Sequence, residues 1–412
     1  MNKEDLLEFY YGFKEFRSEQ EKIIDSVIQG FDTIGLLPTG YGKSITFIIP
    51  ALMMEGLTIV VTPLIALMND QTINLKKRGI KAEYINSSLN NYEIDNIYNK
   101  IKLNKVKILF VSGERLSNKK FLSVINTVDI SFVVSDEAHT LLWSEDFREK
   151  LKDVGVFIKN LKARPKILAL TATATSTTVT KITSMLDLKN PTIIKANPDR
   201  ENIYYDIRKS DNKIKDLVHI LSKFNDQKCL IYTLTINHTK YVYDYLKNLG
   251  YNVGYYYGPQ DSTLKEYYQN AFSTGLVNVM VATLAFGMGI DIPDIRLVIL
   301  YDMPSSIEDY VQEIGRASRD GKNAYSVLLY NKSDFESNSY FIEQIDELDK
   351  TEEEKRRIKN EKYNKLDKMI SLCLTHNCLH YEVVKYFGFN NKKKCLMCSN
   401  CNKKTLIWAF FI

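Results

Sequence analysis

Ile130-Ser-Phe-Val-Val-Ser-Asp-Glu-Ala-His139 is the run that decides the fold. Its first six residues read as a buried β-strand, which delivers two adjacent carboxylates, Asp136 and Glu137, to its C-terminal end. That end is where an open α/β sheet forms its ligand crevice. Working outward, apolar runs at residues 33–37, 57–61, 107–111, 132–135 and 167–170 alternate with amphipathic stretches. Such alternation predicts a parallel sheet covered on both faces. A polar segment, residues 196–202, interrupts the pattern, which restarts with runs at 229–232, 277–282, 296–301 and 325–330. After Ser339 the strands stop, and a long charged helical run from Ile342 to about residue 374 leads into a cysteine cluster. The expected class is α/β: two parallel-sheet domains, 1–196 and 197–338, followed by a small helical, metal-bearing domain, 339–412.

Composition narrows the class. A chain of 412 residues is too long for one ordinary core. Its 45% hydrophobic and 25% charged content is globular, not disordered. No basic-then-apolar leader opens the chain, and no apolar run is long enough to span a bilayer, the tail 406–412 included. The expectation is an intracellular protein, cytoplasmic or nuclear, without a membrane partner. Net charge is only +5, but from Ser339 onward 14 Lys/Arg stand against 10 Asp/Glu, so most of the excess lies at that end. This is compatible with phosphate contacts and equally with a solvated face. Cys373, Cys378, Cys395, Cys398 and Cys401 lie there too, and clustering of this kind favours a metal over disulfides.

Leu37-Pro-Thr39-Gly40-Tyr41-Gly42-Lys43-Ser44 follows the first strand and precedes a helix, where a phosphate-cradling loop belongs. Lys43 would reach the β/γ-phosphates of a nucleotide and Ser44 would ligate Mg²⁺, although Leu37 replaces the leading glycine of the full pattern. Asp136 would hold the same Mg²⁺, and Glu137 would orient or deprotonate the attacking water. In the second half, Gln312-Glu-Ile-Gly-Arg-Ala-Ser-Arg-Asp-Gly321 spaces Arg316 and Arg319 three apart, which predicts one side of a helix. There they would neutralise charge on the γ-phosphate, across a cleft from the first domain. Residues 282–291, Gly-rich after another strand, predict a second loop on that cleft.

Trp143, Phe147 and Arg148 follow the acidic pair. Aromatics at i, i+4 are usually core, but Ser144, Glu145 and Asp146 between them favour an exposed loop that stacks on bases. Each stacked base would contribute roughly 1–3 kcal/mol, with little regard to sequence. Near the end, sixteen residues separate Cys378 from Cys395, and Cys398 and Cys401 follow at two-residue spacings. Four thiolates close a tetrahedral structural Zn²⁺ site. Cys373 or His380 as a ligand, or no metal, are the alternatives.

With these residues in view, the chain resembles the RecQ family of superfamily 2 DNA helicases over most of its length, residues 8–401. The segment 11–20 is similar to the family's adenine-recognition motif, which implies that Phe13 and Arg17 sandwich the base and Gln20 bonds its edge. Residues 60–71 and 112–116 match motifs that face the nucleic-acid strand, and 169–175 match the segment that couples the two sites. Trp143, Phe147 and Arg148 match the family's aromatic-rich loop, and the four cysteines its zinc-binding segment. The resemblance implies two RecA-like domains with ATP between them, Mg²⁺ and structural Zn²⁺ as cofactors, and single-stranded or tailed duplex DNA as partner. It further implies 3′-to-5′ translocation and duplex unwinding in DNA repair and recombination, with Gln312, Arg316 and Arg319 joining Lys43, Asp136 and Glu137 in catalysis. Departures are Tyr41 and Ser318 where the family has glycine, Ser112-Gly113 for Ala-Pro, and an aromatic-rich loop one residue shorter. The chain ends eleven residues after Cys401, before a winged helix could follow. Two other readings are a DNA-stimulated translocase with little unwinding, and a non-catalytic nucleic-acid-binding scaffold.

Overall fold

The computed structural model describes residues 1–38, 40–63, 65–139, 154–172, 175–286, 292–345, 351–390 and 394–402. Backbone contacts divide the chain into two compact units, Met1–Asn197 and Pro198–Ile412. The first is built on β1 (Thr33–Leu36), β2 (Leu57–Val61), β3 (Ala82–Ile85), β4 (Ile108–Val111), β5 (Ile130–Ser135), β6 (Lys166–Thr171) and β7 (Thr192–Lys195). They form one sheet in the order β3-β4-β2-β5-β6-β1-β7, with every pairing parallel.

Period-two alternation sends neighbouring side chains of each strand to opposite faces. Ile59, Val61, Val133 and Ile167 join one core cluster, and Val60, Phe132, Val134 and Leu168 join the other. Both faces are therefore buried, which is why these strands read as unbroken apolar runs. The helix Ile45–Met53 is apolar all round, and its residues from Ile45 to Ala51 are buried. A helix of that composition belongs in an interior. It packs against the helices Lys3–Tyr11 and Ser18–Ile28, giving the loop that precedes it a rigid base.

The second unit contains β8 (Ile203–Lys209), β9 (Lys228–Tyr232), β10 (Val253–Tyr256), β11 (Val279–Ala282), β12 (Ile295–Leu300) and β13 (Ala324–Tyr330). Their order is β10-β11-β9-β12-β13-β8, again parallel throughout. The helices Lys332–Glu343, Glu352–Leu374 and Leu379–Tyr386 cover one face. Ile342, Leu366, Met369, Leu372, Leu379 and Val383 share a core cluster with Tyr310, Ile314 and Leu328. The 23-residue charged helix buries only Leu366, Met369 and Leu372, a stripe at three-residue spacing that its composition otherwise hides. Position 339 falls inside Lys332–Glu343, whose Asp334 accepts from buried Lys213 at 2.5 Å and from the Met303 N–H at 3.3 Å. The C-terminal helices are thus cored together with the second sheet. Among the described residues, no helix is long and apolar enough to cross a membrane.

Candidate nucleotide site and cysteine cluster

β1 hands directly into the phosphate loop: the Leu37 N–H still donates to the Thr171 carbonyl at 2.9 Å. The chain then turns through Gly40 and Gly42 at φ +78° and +83°, where a side chain would be strained. At Gly42 a Cβ would also stand 2.6 Å from Gln20 Nε2. Ser44 caps Ile45–Met53, with the Thr46 N–H closing on Lys43 O at 3.0 Å. Lys43 and Ser44 therefore sit at a helix N-terminus, whose amides and dipole favour an anion. Thr39 lies outside the described residues.

Gln20 splints this loop. Its Nε2 donates to Tyr41 O at 2.7 Å and Gly42 O at 3.3 Å, and its Oε1 accepts from the Arg17 N–H at 3.0 Å. Sequence reasoning assigned this amide to a base edge and gave no sign of the splint. Arg17 donates to Gly40 O at 3.2 Å, and its guanidinium lies 4.9 Å from the centroid of the Tyr41 ring. The Tyr41 phenol donates to Glu19. Partial burial, then that carboxylate, push the phenol up to about 12. Phe13 is 57% exposed.

β5 places Asp136 and Glu137 as expected, past its C-terminal end. The Asp136 N–H extends the ladder to Val61 O at 2.9 Å. Asp136 is buried, and burial followed by the neighbouring Glu137 charge raises its carboxyl to about 6, with Lys43 pulling the other way. A buried carboxyl beside a like charge is a group that a cation would stabilise. Glu137 adopts φ +47°, which turns its side chain toward the loop, and its Oε1 accepts from Lys43 Nζ at 2.5 Å. His139 Nδ1 lies 2.8 Å from Thr171 Oγ1, joining the acidic run to the end of β6. Trp143, Phe147 and Arg148 lie outside the described residues.

In the second unit the helix carrying Gln312 ends at Ile314, so Arg316 and Arg319 do not share a helix face as their spacing suggested. Gly315 caps the helix, and Ser318 takes φ +47°, a conformation no α-helix continues through. The charges of both arginines nonetheless lower the pKa of the Tyr232 phenol, against a dominant rise from burial, while its hydroxyl donates to Phe286 O at 2.8 Å. Gln312 is half-buried and Arg316 is 9% exposed. Residues 287–291 lie outside the described residues.

Nearby, Asp302 Oδ2 accepts from His238 Nδ1 at 2.8 Å and from the Leu234 N–H at 2.8 Å. The Asp302 hydrogen bond raises the His238 pKa above 6.5, against desolvation. A raised histidine stabilises the fold fully below its ordinary value, and that contribution fades as pH climbs through the raised one. Melting temperature should therefore fall across that window in the native protein. His238→Gln should flatten that portion of a thermal-melt series, and an identical slope in the variant would contradict the pairing.

The sulfurs of Cys378, Cys395, Cys398 and Cys401 all lie within 4.8 Å of one another. Zinc–sulfur bonds of about 2.3 Å in a tetrahedron require sulfurs about 3.8 Å apart, so the donor set fits Zn²⁺. The Leu379 N–H donates to Cys398 Sγ at 3.4 Å and the Met397 N–H to Cys395 Sγ at 3.2 Å. The Cys395 thiol, then the Leu379 and Cys401 amides, hold Cys398 well below the usual thiol range against the opposing effect of burial. Leu396 at φ +62° makes the turn that brings the spaced cysteines round. Both alternative ligands are occupied elsewhere. Cys373 packs on the apolar core, where burial pushes its thiol up, and His380 is buried against Asp199.

Comparison with known proteins agrees with this layout. Residues 17–182 match the DEAD/DEAH box helicase model, 212–321 the helicase conserved C-terminal domain, and 332–402 the RecQ zinc-binding model. The chain is 35% identical over 400 residues to the ATP-dependent DNA helicase RecQ of Bacillus subtilis (strain 168), covering 97% of this chain and 66% of that protein. It is 35% identical over 369 residues to the probable ATP-dependent DNA helicase RecS of the same organism, covering 85% of this chain and 74% of that one. Among solved structures, the DEAD-box helicase Mss116 bound to single-stranded RNA superposes with a TM-score of 0.69 at 20% identity, over 95% of this chain and 86% of that one. The chain thus spans just under two thirds of the RecQ relative's length.

Proposed function

Because the chain belongs to the RecQ family of helicases, we propose that it is an ATP-dependent DNA helicase, translocating 3′ to 5′ on single-stranded DNA and separating duplexes. The observation that carries the reading is the 2.5 Å pair between Lys43 and Glu137, at the mouth of a glycine-turned loop on a buried helix. It sets a phosphate-seeking cation and a water-activating base on each other until a nucleotide separates them. Phosphates entering the loop would claim the ammonium and free Glu137 to orient water. Ser44 and Asp136 are the residues suited to hold Mg²⁺, which when bound screens the β- and γ-phosphate charge. Phe13 and Arg17 would clasp the base, with Gln20 between base and loop. Arg316 and Arg319 would neutralise the transferred phosphoryl group, with Gln312 positioned on the helix leading into them.

The four cysteines would hold a structural Zn²⁺, since four thiolates suffice for a closed tetrahedral site with no position left for catalysis. Trp143, Phe147 and Arg148 would stack and hold single-stranded DNA. The His139–Thr171 bond would carry the state of the acidic site to β6. The protein would act in the cytoplasm or nucleus, wherever its DNA lies. A strand-displacement assay with ATP tests the assignment on 3′-tailed and 5′-tailed duplexes. Displacement restricted to the 3′-tailed duplex is expected, and displacement restricted to the 5′-tailed one would reverse the direction proposed.

A further inference from the structure

The residues just before β8 tie two distant features of the second unit together. Arg200 reaches the irregular segment after the helix Ile307–Ile314. Its Nη2 donates to Ser318 O at 2.8 Å and Ala317 O at 3.1 Å, and its Nη1 to Gly315 O at 3.4 Å. Asn202 Nδ2 adds bonds to Ser318 Oγ at 2.9 Å and Lys322 O at 2.9 Å. These groups grip the backbone on both sides of Arg316 and up to Arg319, where Ser318 is held at φ +47°. A non-glycine residue there persists only when its surroundings over-determine it.

The neighbouring residue, Asp199, faces the cysteine cluster. Its Oδ1 lies 2.5 Å from Nδ1 of His380, two residues after Cys378. His380 is 1% exposed, stacks flat on Tyr205 at 3.7 Å and 11°, and directs Nε2 to Met397 O at 3.1 Å. The cysteine knuckle itself extends the open edge of β8. The Tyr205 N–H donates to Met397 O at 3.0 Å, and the Ser399 N–H to Tyr205 O at 2.9 Å. One four-residue stretch, 199–202, therefore has the cysteine site on one side and the arginine-bearing segment on the other.

We propose that Arg200 is a positioning residue for Arg316 and Arg319, and that the cysteine segment steadies the same arginines through His380 and Asp199. This rests on the reading of the two arginines as phosphate-neutralising groups. The planar guanidinium fork is suited to this role, because it spans three carbonyls that a single ammonium cannot hold together. Loss of the fork lets Ser318 relax and moves the arginines, and displacements near 1 Å can cost about 100-fold in rate.

The test uses the full chain loaded with zinc, and follows DNA-stimulated ATP hydrolysis, amide hydrogen exchange over residues 315–319, and zinc content. Arg200→Ala should lower kcat by about 10- to 100-fold while KM for ATP stays within about twofold. Exchange at 315–319 should quicken, with zinc content unchanged. Asp199→Ala should show the same signature at about 3- to 10-fold, again with full zinc content, and Arg200→Lys should fall between Arg200→Ala and the native protein. In an Arg316→Ala background, Arg200→Ala should add no more than about twofold, because both act through one group. A kcat unmoved by Arg200→Ala, or a loss that multiplies in that background, would overturn the positioning role. Should Arg200→Ala fail to fold, Arg200→Lys supplies the same readouts. If Arg316→Ala itself leaves kcat unchanged, the catalytic reading of the arginines fails instead, and the exchange measurement alone decides whether Arg200 holds the segment.

Discussion

Glu137→Gln should all but abolish ATP hydrolysis while leaving nucleotide binding intact. The amide would keep the size of the side chain and a carbonyl for Lys43, but it cannot take a proton from water. Removing a positioned general base costs typically 10²–10⁴-fold, and a loss of about that size in kcat is expected here. Binding should survive or tighten, because the native carboxylate competes with phosphate for Lys43 at 2.5 Å. Lys43→Ala makes the complementary change. It removes the group that draws phosphate into the loop, so affinity should fall together with turnover, and it leaves Glu137 and buried Asp136 without the cation that opposes their mutual repulsion. Fluorescent-nucleotide binding with steady-state ATPase on both variants separates the two roles. Equal loss of binding in both would mean that the pair only holds the loop in shape.

Zinc removal should unfold more than the cysteine knuckle. Structural zinc contributes about 10–16 kcal/mol of apparent binding free energy in small zinc-dependent folds, and binding of that kind is folding free energy. Here the metal would hold segments of backbone and not an isolated module. Met397 and Ser399 complete the outer edge of β8, and Cys378 caps the helix Leu379–Tyr386, which packs into the second core. Chelation, or Cys398→Ser, should therefore lower the melting temperature markedly and open both the knuckle and the β8 edge to protease, including residues 199–205. The native protein should carry one zinc per chain, lost in the variant. Cleavage confined to residues 395–402, with an unchanged melting temperature, would show that the knuckle is an appendage.

How far the sequence could be read depended on what each residue faces. The nine strands legible as apolar runs have neighbours on both sides and cores on both faces. The four that were not, β3, β7, β8 and β10, are the sheet edges. Ala-Glu-Tyr-Ile at 82–85 and Val-Gly-Tyr-Tyr at 253–256 mix polar, small and aromatic residues because an edge is partly wet, so no period emerges. The positions of Lys43, Asp136 and Glu137 were legible because loop, strand end and acidic pair are local patterns. The four cysteines were legible for the same reason, and their sulfurs do converge.

What stayed hidden was long-range. Arg316 and Arg319 kept helical spacing beyond the helix end, and only Ser318 in the left-handed region reveals the break. Serine carries no such mark in sequence, whereas glycine there would have. His380 could be placed among possible metal ligands until Tyr205 and Asp199, some 180 residues away, were seen to enclose it. Arg200 and Asn202 sit in what read as a polar linker, and nothing local says that their side chains clamp a segment more than a hundred residues on. The tyrosine at position 41 was legible as a departure, but its anchor on Arg17 and Glu19 was not.

The central claim is that a nucleotide site built on Lys43, Asp136 and Glu137 is driven by DNA. The measurement that tests it most directly is the rate of ATP hydrolysis by the native protein with no nucleic acid, with single-stranded DNA, and with RNA of the same sequence. Stimulation of about tenfold or more by single-stranded DNA, lost in Glu137→Gln, is the expected result. A rate indifferent to DNA, or raised by RNA alone, would contradict it.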